Sequence, residues 1–129
     1  MTQNVVFVCL HGSAKSVIAG AYFERLAAQR GLSIHVTAVG MEPDAEIPPR
    51  VISGLLADGI DVRGRRPRGL APEDVKDASR VISFGCDLGA VAPAGVTVER
   101  WDDVPAVSEN FGKARDAIVA RVTRLTEAL

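Results

Sequence analysis

Asn4-Val-Val-Phe-Val-Cys9-Leu-His-Gly-Ser-Ala-Lys-Ser16 decides the fold. An apolar run from Val5 to Val8 ends in Cys9, and a short polar loop with Gly12 and Ser13 follows. From near Ser16 the apolar residues Val17, Ile18, Ala21, Tyr22 and Leu26 recur at helical spacing. The stretch therefore reads as strand, loop, helix, and the short β-branched run suits a buried strand. Such a loop leaves backbone N–H groups unpaired where the helix begins, and the helix dipole adds positive charge there. The place suits an anion. It also suits a thiolate: free cysteine titrates near pH ~8.5, and sites of this type bring it to roughly 3.5–7.5. One site thus binds an oxyanion and prepares a nucleophile.

Working outward, the first helix is predicted from about residue 13 or 16 to 30, with Gly31 stopping it. Residues 32–39 alternate through Ile34, Val36 and Ala38 and read as a second strand closed by Gly40. Residues 41–49 form a loop with three prolines, and a helix is predicted over 49–58, ended by Gly59. Residues 72–77 read as one short helix with proline first and acids in its first turn. Strands are predicted over 81–84 and 96–99, then a loop over 101–109. Asn110 caps a last helix that carries Ile118, Val122, Leu125 and Leu129 on one stripe. Strands separated by helices predict an α/β domain over residues 1–129: a doubly wound parallel sheet of about four strands in a three-layer arrangement, with helices on both faces. In such sheets ligands sit beyond the carboxyl ends of the strands, and Cys9, Cys86 and Asp103 all follow strands at that edge.

The totals bound the function. With 47% apolar and 24% charged residues and a net charge of −1, nothing points to nucleic acid or a membrane surface as a partner. No apolar run approaches a membrane span, and residues 1–10 lack the pattern of a signal peptide. Two cysteines, Cys9 and Cys86, make no secreted disulfide framework, so a reducing cytoplasm is the expected compartment. No Cys and His cluster has metal-ligand spacing, so no zinc site is expected.

Cys9-Leu-His-Gly-Ser-Ala-Lys-Ser16 is a cysteine, five residues, a cation and a serine. In order behind it come Ala38-Val-Gly-Met-Glu-Pro43, Gly59-Ile-Asp-Val62, Arg66-Pro-Arg68, Pro72 to Ala78, Val81 to Asp87, and Trp101-Asp-Asp-Val-Pro105. Over almost the whole chain this series resembles the low-molecular-weight protein tyrosine phosphatases and the arsenate reductases that share their fold. The resemblance implies the strand order 2-1-3-4. It implies Cys9 as the nucleophile, with the amides of Leu10, His11, Gly12, Ser13, Ala14 and Lys15 around a bound oxyanion. Ser16 would donate to the thiolate, and Asp103 would protonate the leaving oxygen and later activate water. No metal or organic cofactor is implied. The implied ligand is a small oxyanion or a phosphate monoester, with a thioredoxin-like or low-molecular-weight thiol as partner if the chain is a reductase.

Three residues depart from that pattern. Lys15 stands where the family has arginine, and a point charge does not reproduce the two-pronged grip of a guanidinium. Anion binding is therefore expected to survive better than turnover. The family's aspartate directly precedes proline; here Val104 does, with Asp103 one residue earlier and Asp102 the second choice. Gly12 replaces a loop asparagine, which allows a positive φ but removes a brace. Cys86 reads as a small buried residue closing a strand, because no third cysteine follows at 89–92 to complete a relay. His11 reads as a loop-shaping or solvent-facing residue in preference to a catalytic base, the arginines at 63, 65, 66 and 68 as a solvated basic face, and Trp101 as a packing residue. A weak phosphate-monoester hydrolase leads; an arsenate reductase fed by an external thiol and a non-enzymatic oxyanion-binding module stand beside it.

Overall fold

The computed structural model describes residues 3–88 and 96–129. Its centre is β1 (Gln3–Cys9), flanked by β2 (Ile34–Gly40) on one side and β3 (Arg80–Ser83) on the other, with β4 (Val98–Arg100) outside β3. The sheet is parallel throughout and ordered β2-β1-β3-β4. Its register sets Val5 against Val36 and Val6 against Val81.

β1 is buried on both faces because helices cover both. Val5, Phe7 and Cys9 face a core built with α1 (Lys15–Gln29), α2 (Pro49–Ala57) and α4 (Phe111–Glu127). Val6 and Val8 face a smaller core with Val39, Val81 and Val75 of α3 (Pro72–Lys76). Phe7 is wholly buried and meets Phe23 edge-on at 5.7 Å and Trp101 at 6.0 Å. Fully burying a side chain such as Phe or Val contributes ~1.5–3 kcal/mol relative to exposure. The central strand thus anchors the edge where its last residue, Cys9, emerges.

Two glycines end helices by the same device. Gly31 (φ +68°) donates to Ala28 O while Leu32 donates to Ala27 O at 2.9 Å. Gly59 (φ +81°) donates to Leu56 O while Ile60 donates to Leu55 O at 2.9 Å. Each pair satisfies the last helical carbonyls. The first also explains why β2 begins two residues later than the apolar alternation predicts: the Leu32 N–H is already spent on α1. The third strand starts one residue earlier than predicted and the fourth two residues later, where the pairings Val5–Arg80 and Val81–Val98 begin. Asn110 caps α4, its side chain accepting from the Lys113 amide at 3.0 Å.

Candidate functional site

β1 delivers Cys9 to the carboxyl edge of the sheet, and residues 10–14 turn the chain into α1. Gly12 makes that turn at φ +62°, and it lies backbone to backbone on Gly40: a Cβ on Gly12 would meet Gly40 N at 2.7 Å. Past Gly40 the chain runs along the loop and holds it. Met41, Glu42 and Asp44 donate their amides to the carbonyls of Cys9, Leu10 and His11 at 3.1, 2.7 and 3.0 Å. These bonds use the loop's carbonyls and leave its N–H groups out. Among the described residues, the amides of 11–15 have no backbone or side-chain acceptor, and Ala14, the N-cap of α1, supplies no side-chain cap. A capping side chain is typically worth ~1 kcal/mol, so an uncapped N-terminus beside a thiol is a place an anion stabilises.

Cys9 and Ser16 are both buried, with Ser16 Oγ 3.1 Å from Cys9 Sγ. Cys9 stands in a cavity of about 350 Å³. Its apolar wall includes Leu10, Pro48, Val51, Phe84 and Val107; its polar rim includes His11, Ser13, Asp44, Lys15 and Arg50. Leu10 is 46% exposed, unusual for a large apolar side chain, because it stands at this mouth.

The predicted site residues fall in two groups. Cys9, Leu10, His11, Ser13, Ala14 and Lys15 line one cavity, with Ser16 against the thiol and Gly12 on the underside of the loop. Lys15, expected to face the anion, instead donates through Nζ to Val104 O at 3.0 Å, so its charge also braces the 101–109 loop. Asp103 is not among the residues lining that cavity. Its carboxylate is 73% exposed and is held by the Arg121 guanidinium of α4, which keeps the carboxyl below its ordinary range. Asp102 pairs with Arg100 at 3.0 Å. The expectation that an aspartate of this loop faces Cys9 is not met in this structure: neither Asp102 nor Asp103 lines the cavity, and the Asp103 carboxylate turns toward α4, where Arg121 receives it.

Cys86 lies in the smaller core, across the sheet from Cys9. Burial, with a smaller contribution from Cys9, pushes its thiol up. Its amide donates to the Ser83 hydroxyl oxygen at 2.9 Å, and the same hydroxyl donates to Cys86 O at 2.7 Å, which makes it a strand-closing residue as read. The segment 89–92, read as lacking a relay cysteine, lies outside the described residues except as sequence. Of the arginines, Arg63, Arg65 and Arg68 pair with Asp61, Glu24 and Asp74.

Sequence reasoning missed Asp44 and Arg50. Asp44 accepts from Ser13 Oγ at 2.7 Å and lies 3.4 Å from His11 Nδ1; Arg50 Nη1 donates to Ser108 O at 2.9 Å. Asp44 lies in the proline-rich loop after β2, which has no periodicity, and Arg50 in the first turn of α2, where it reads as an ordinary surface residue. Among the described residues, no three His, Cys, Asp or Glu side chains are grouped to hold a metal, and no helix is long and apolar enough to cross a membrane.

A parallel doubly wound sheet whose first strand ends in a buried cysteine, followed by a loop into an uncapped helix, defines a cysteine-loop protein of the phosphatase fold. Residues 4–90 match the family model for low molecular weight phosphotyrosine protein phosphatases, and the chain belongs to that family. It is 27% identical over 129 residues to a Halobacterium salinarum protein named "Putative arsenate reductase", covering 96% of this chain and 91% of the other. Its fold is similar to that of a thioredoxin-dependent arsenate reductase from Corynebacterium glutamicum, with TM-score 0.83 and 26% identity over 98% of this chain. The chain spans 61% of that protein's length. It is equally similar in fold to the tyrosine phosphatase Wzb from Escherichia coli K30, determined with sulphate, with TM-score 0.83, 14% identity and 99% coverage of both chains.

Proposed function

We propose that this protein hydrolyses phosphate monoesters through Cys9. The observation that carries the reading is the cavity: about 350 Å³, with the Cys9–Ser16 pair in it and an apolar wall above. Small-molecule sites run ~300–1,000 Å³, so the space takes an organic ester as well as an inorganic anion. Cys9 attacks phosphorus, the loop amides hold the non-bridging oxygens, and Ser16 stabilises the thiolate by donating to it. Lys15 balances charge at the wall but lacks the fork that grips two oxygens of the transition state, so turnover is slow. Aryl phosphate hydrolysis tests this: Cys9→Ser should fall to background while phosphate still stabilises the fold. Unchanged turnover in Cys9→Ser would reject the reading.

A second reading is favoured by two relatives, one named "Putative arsenate reductase" and the other a thioredoxin-dependent arsenate reductase. Arsenate would bind the same loop, and an external thiol would regenerate Cys9, because Cys86 is buried across the sheet. Arsenate-dependent oxidation of a thiol reductant, unaffected by Cys86→Ser, is the expected result; no oxidation rejects it.

A further inference from the structure

The cavity holds a nucleophile without either aspartate of the late loop. Hydrolysis of an ester of a poorly acidic alcohol needs a proton for the leaving oxygen, and a positioned acid contributes typically ~10²–10⁴-fold. Asp103 is engaged by Arg121, and Asp102 by Arg100. Lys15 and Arg50 direct their N–H groups to Val104 O and Ser108 O. On the same rim His11 is held in a defined way. Its Nδ1 lies 3.3 Å from Glu42 O and 3.4 Å from Asp44 Oδ1. Both are acceptors, so Nδ1 carries a hydrogen and Nε2 is the nitrogen left to gain or lose one. Asp44 is fixed in turn: its other oxygen takes the Ser13 hydroxyl at 2.7 Å, and its amide donates to His11 O at 3.0 Å. A carboxylate that orients an imidazole is a recurring arrangement in acid–base catalysis, and His11 lines the same cavity as Cys9. The His11 side chain is 57% exposed, so its ring has room to meet an ester at the mouth.

We infer that His11, held through Nδ1 by Asp44 and Glu42, gives the leaving oxygen its proton and recovers one from the attacking water. The inference rests on the hydrolase reading above. In the first step the Cys9 Sγ–P bond forms and the P–O ester bond breaks. The electron pair stays on the leaving oxygen, which takes the proton from Nε2. In the second step neutral Nε2 takes a proton from water as the water oxygen bonds to phosphorus. The S–P bond breaks, its electron pair returns to Sγ, and inorganic phosphate leaves. No redox partner is involved. Asp44 is a positioning residue, and it acts only through the imidazole.

The test compares p-nitrophenyl phosphate, whose leaving group needs little protonation, with phenyl phosphate, whose leaving group needs it. The variant is His11→Asn: its amide N–H replaces Nδ1–H toward Asp44 and Glu42, and it lacks the Nε2 proton. It is expected to lose about 100-fold in kcat/KM on phenyl phosphate and under about tenfold on p-nitrophenyl phosphate. Asp44→Asn should show a smaller loss of the same pattern, and Asp103→Asn no leaving-group dependence beyond that of the unaltered protein. Urea midpoints for each variant show that the fold is kept. Equal losses on both substrates, no loss, or the leaving-group pattern in Asp103→Asn instead, would each overturn the role of His11. Absence of any Cys9-dependent turnover in the unaltered protein is a separate result, which rejects the hydrolase reading and this inference with it.

Discussion

Lys15 and Gly40 decide how well the loop works. An arginine at 15 would add a fork where the ammonium now offers a point charge. Lys15→Arg should raise kcat about tenfold, the equivalent of one further charge-assisted hydrogen bond made in the transition state. Phosphate protection against thermal unfolding should change little. Steady-state kinetics beside a melting curve checks both, and equal rates would show that the lysine is no handicap. Gly40 is decided by contact. A Cβ there would lie 2.4 Å from Gly12 N and 2.6 Å from His11 C, and backbone cannot step aside as a side-chain tip can. Gly40→Ala should cost ~1–3 kcal/mol in urea unfolding and weaken phosphate binding, because the loop must lift. Gly12 was legible as a positive-φ residue from the loop pattern. Its partner Gly40 was legible only as the end of a strand, since nothing in one sequence says that two backbones meet.

Elements α1, α2 and α4 meet at a polar clamp. The Tyr22 hydroxyl donates to Asp58 Oδ2, Arg115 Nη1 donates to the same oxygen at 3.2 Å, and Arg25 Nη1 donates to Asp58 O at 2.5 Å. Burial and then the Asp58 hydrogen bond push the Tyr22 hydroxyl from its ordinary 10.0 up to about 12. The Tyr22 hydrogen bond, then Arg115, hold the Asp58 carboxyl below its ordinary 3.8 against some desolvation. The signs follow from linkage. A raised tyrosine contributes stability that is complete below pH 10.0 and is lost as pH rises toward about 12. A lowered aspartate contributes stability present above 3.8 and lost as pH falls below it. Urea unfolding against pH should therefore show a decline above pH 10.0 that Tyr22→Phe flattens, and a decline below pH 3.8 that Asp58→Asn flattens. Unchanged slopes in the variants would place the titration elsewhere. At the N-terminus of α4, Asn110→Ala should cost ~1 kcal/mol in the same assay by removing the cap to Lys113. Helices were the most readable elements, because glycine stops, a proline start and the Asn110 cap are local signals. β3 and β4 shifted by one and two residues, because pairing partners far along the chain set their ends.

At the scale of the whole molecule, the parallel order β2-β1-β3-β4 brings the ends of β1 and β2 and the loops after β3 and β4 to one edge. The shared edge followed from alternating strands and helices, and the strand order from the family resemblance; Cys9, His11, Ser13 and Lys15 line one cavity there. The direction of Asp103 did not follow. Whether a loop carboxylate turns inward or toward α4 depends on Arg121, eighteen residues on, a partner that no local pattern names. Nor did the 42–44 segment, whose bonds to the loop carbonyls leave the amides of residues 11–15 without partners among the described residues. The account stands on those amides. The measurement that tests it most directly is an amide NMR titration of the protein with inorganic phosphate. Saturable shifts concentrated at residues 10–16, preserved in Cys9→Ser, are the predicted result. Shifts spread over the basic 63–68 surface, with residues 10–16 unmoved, would contradict it.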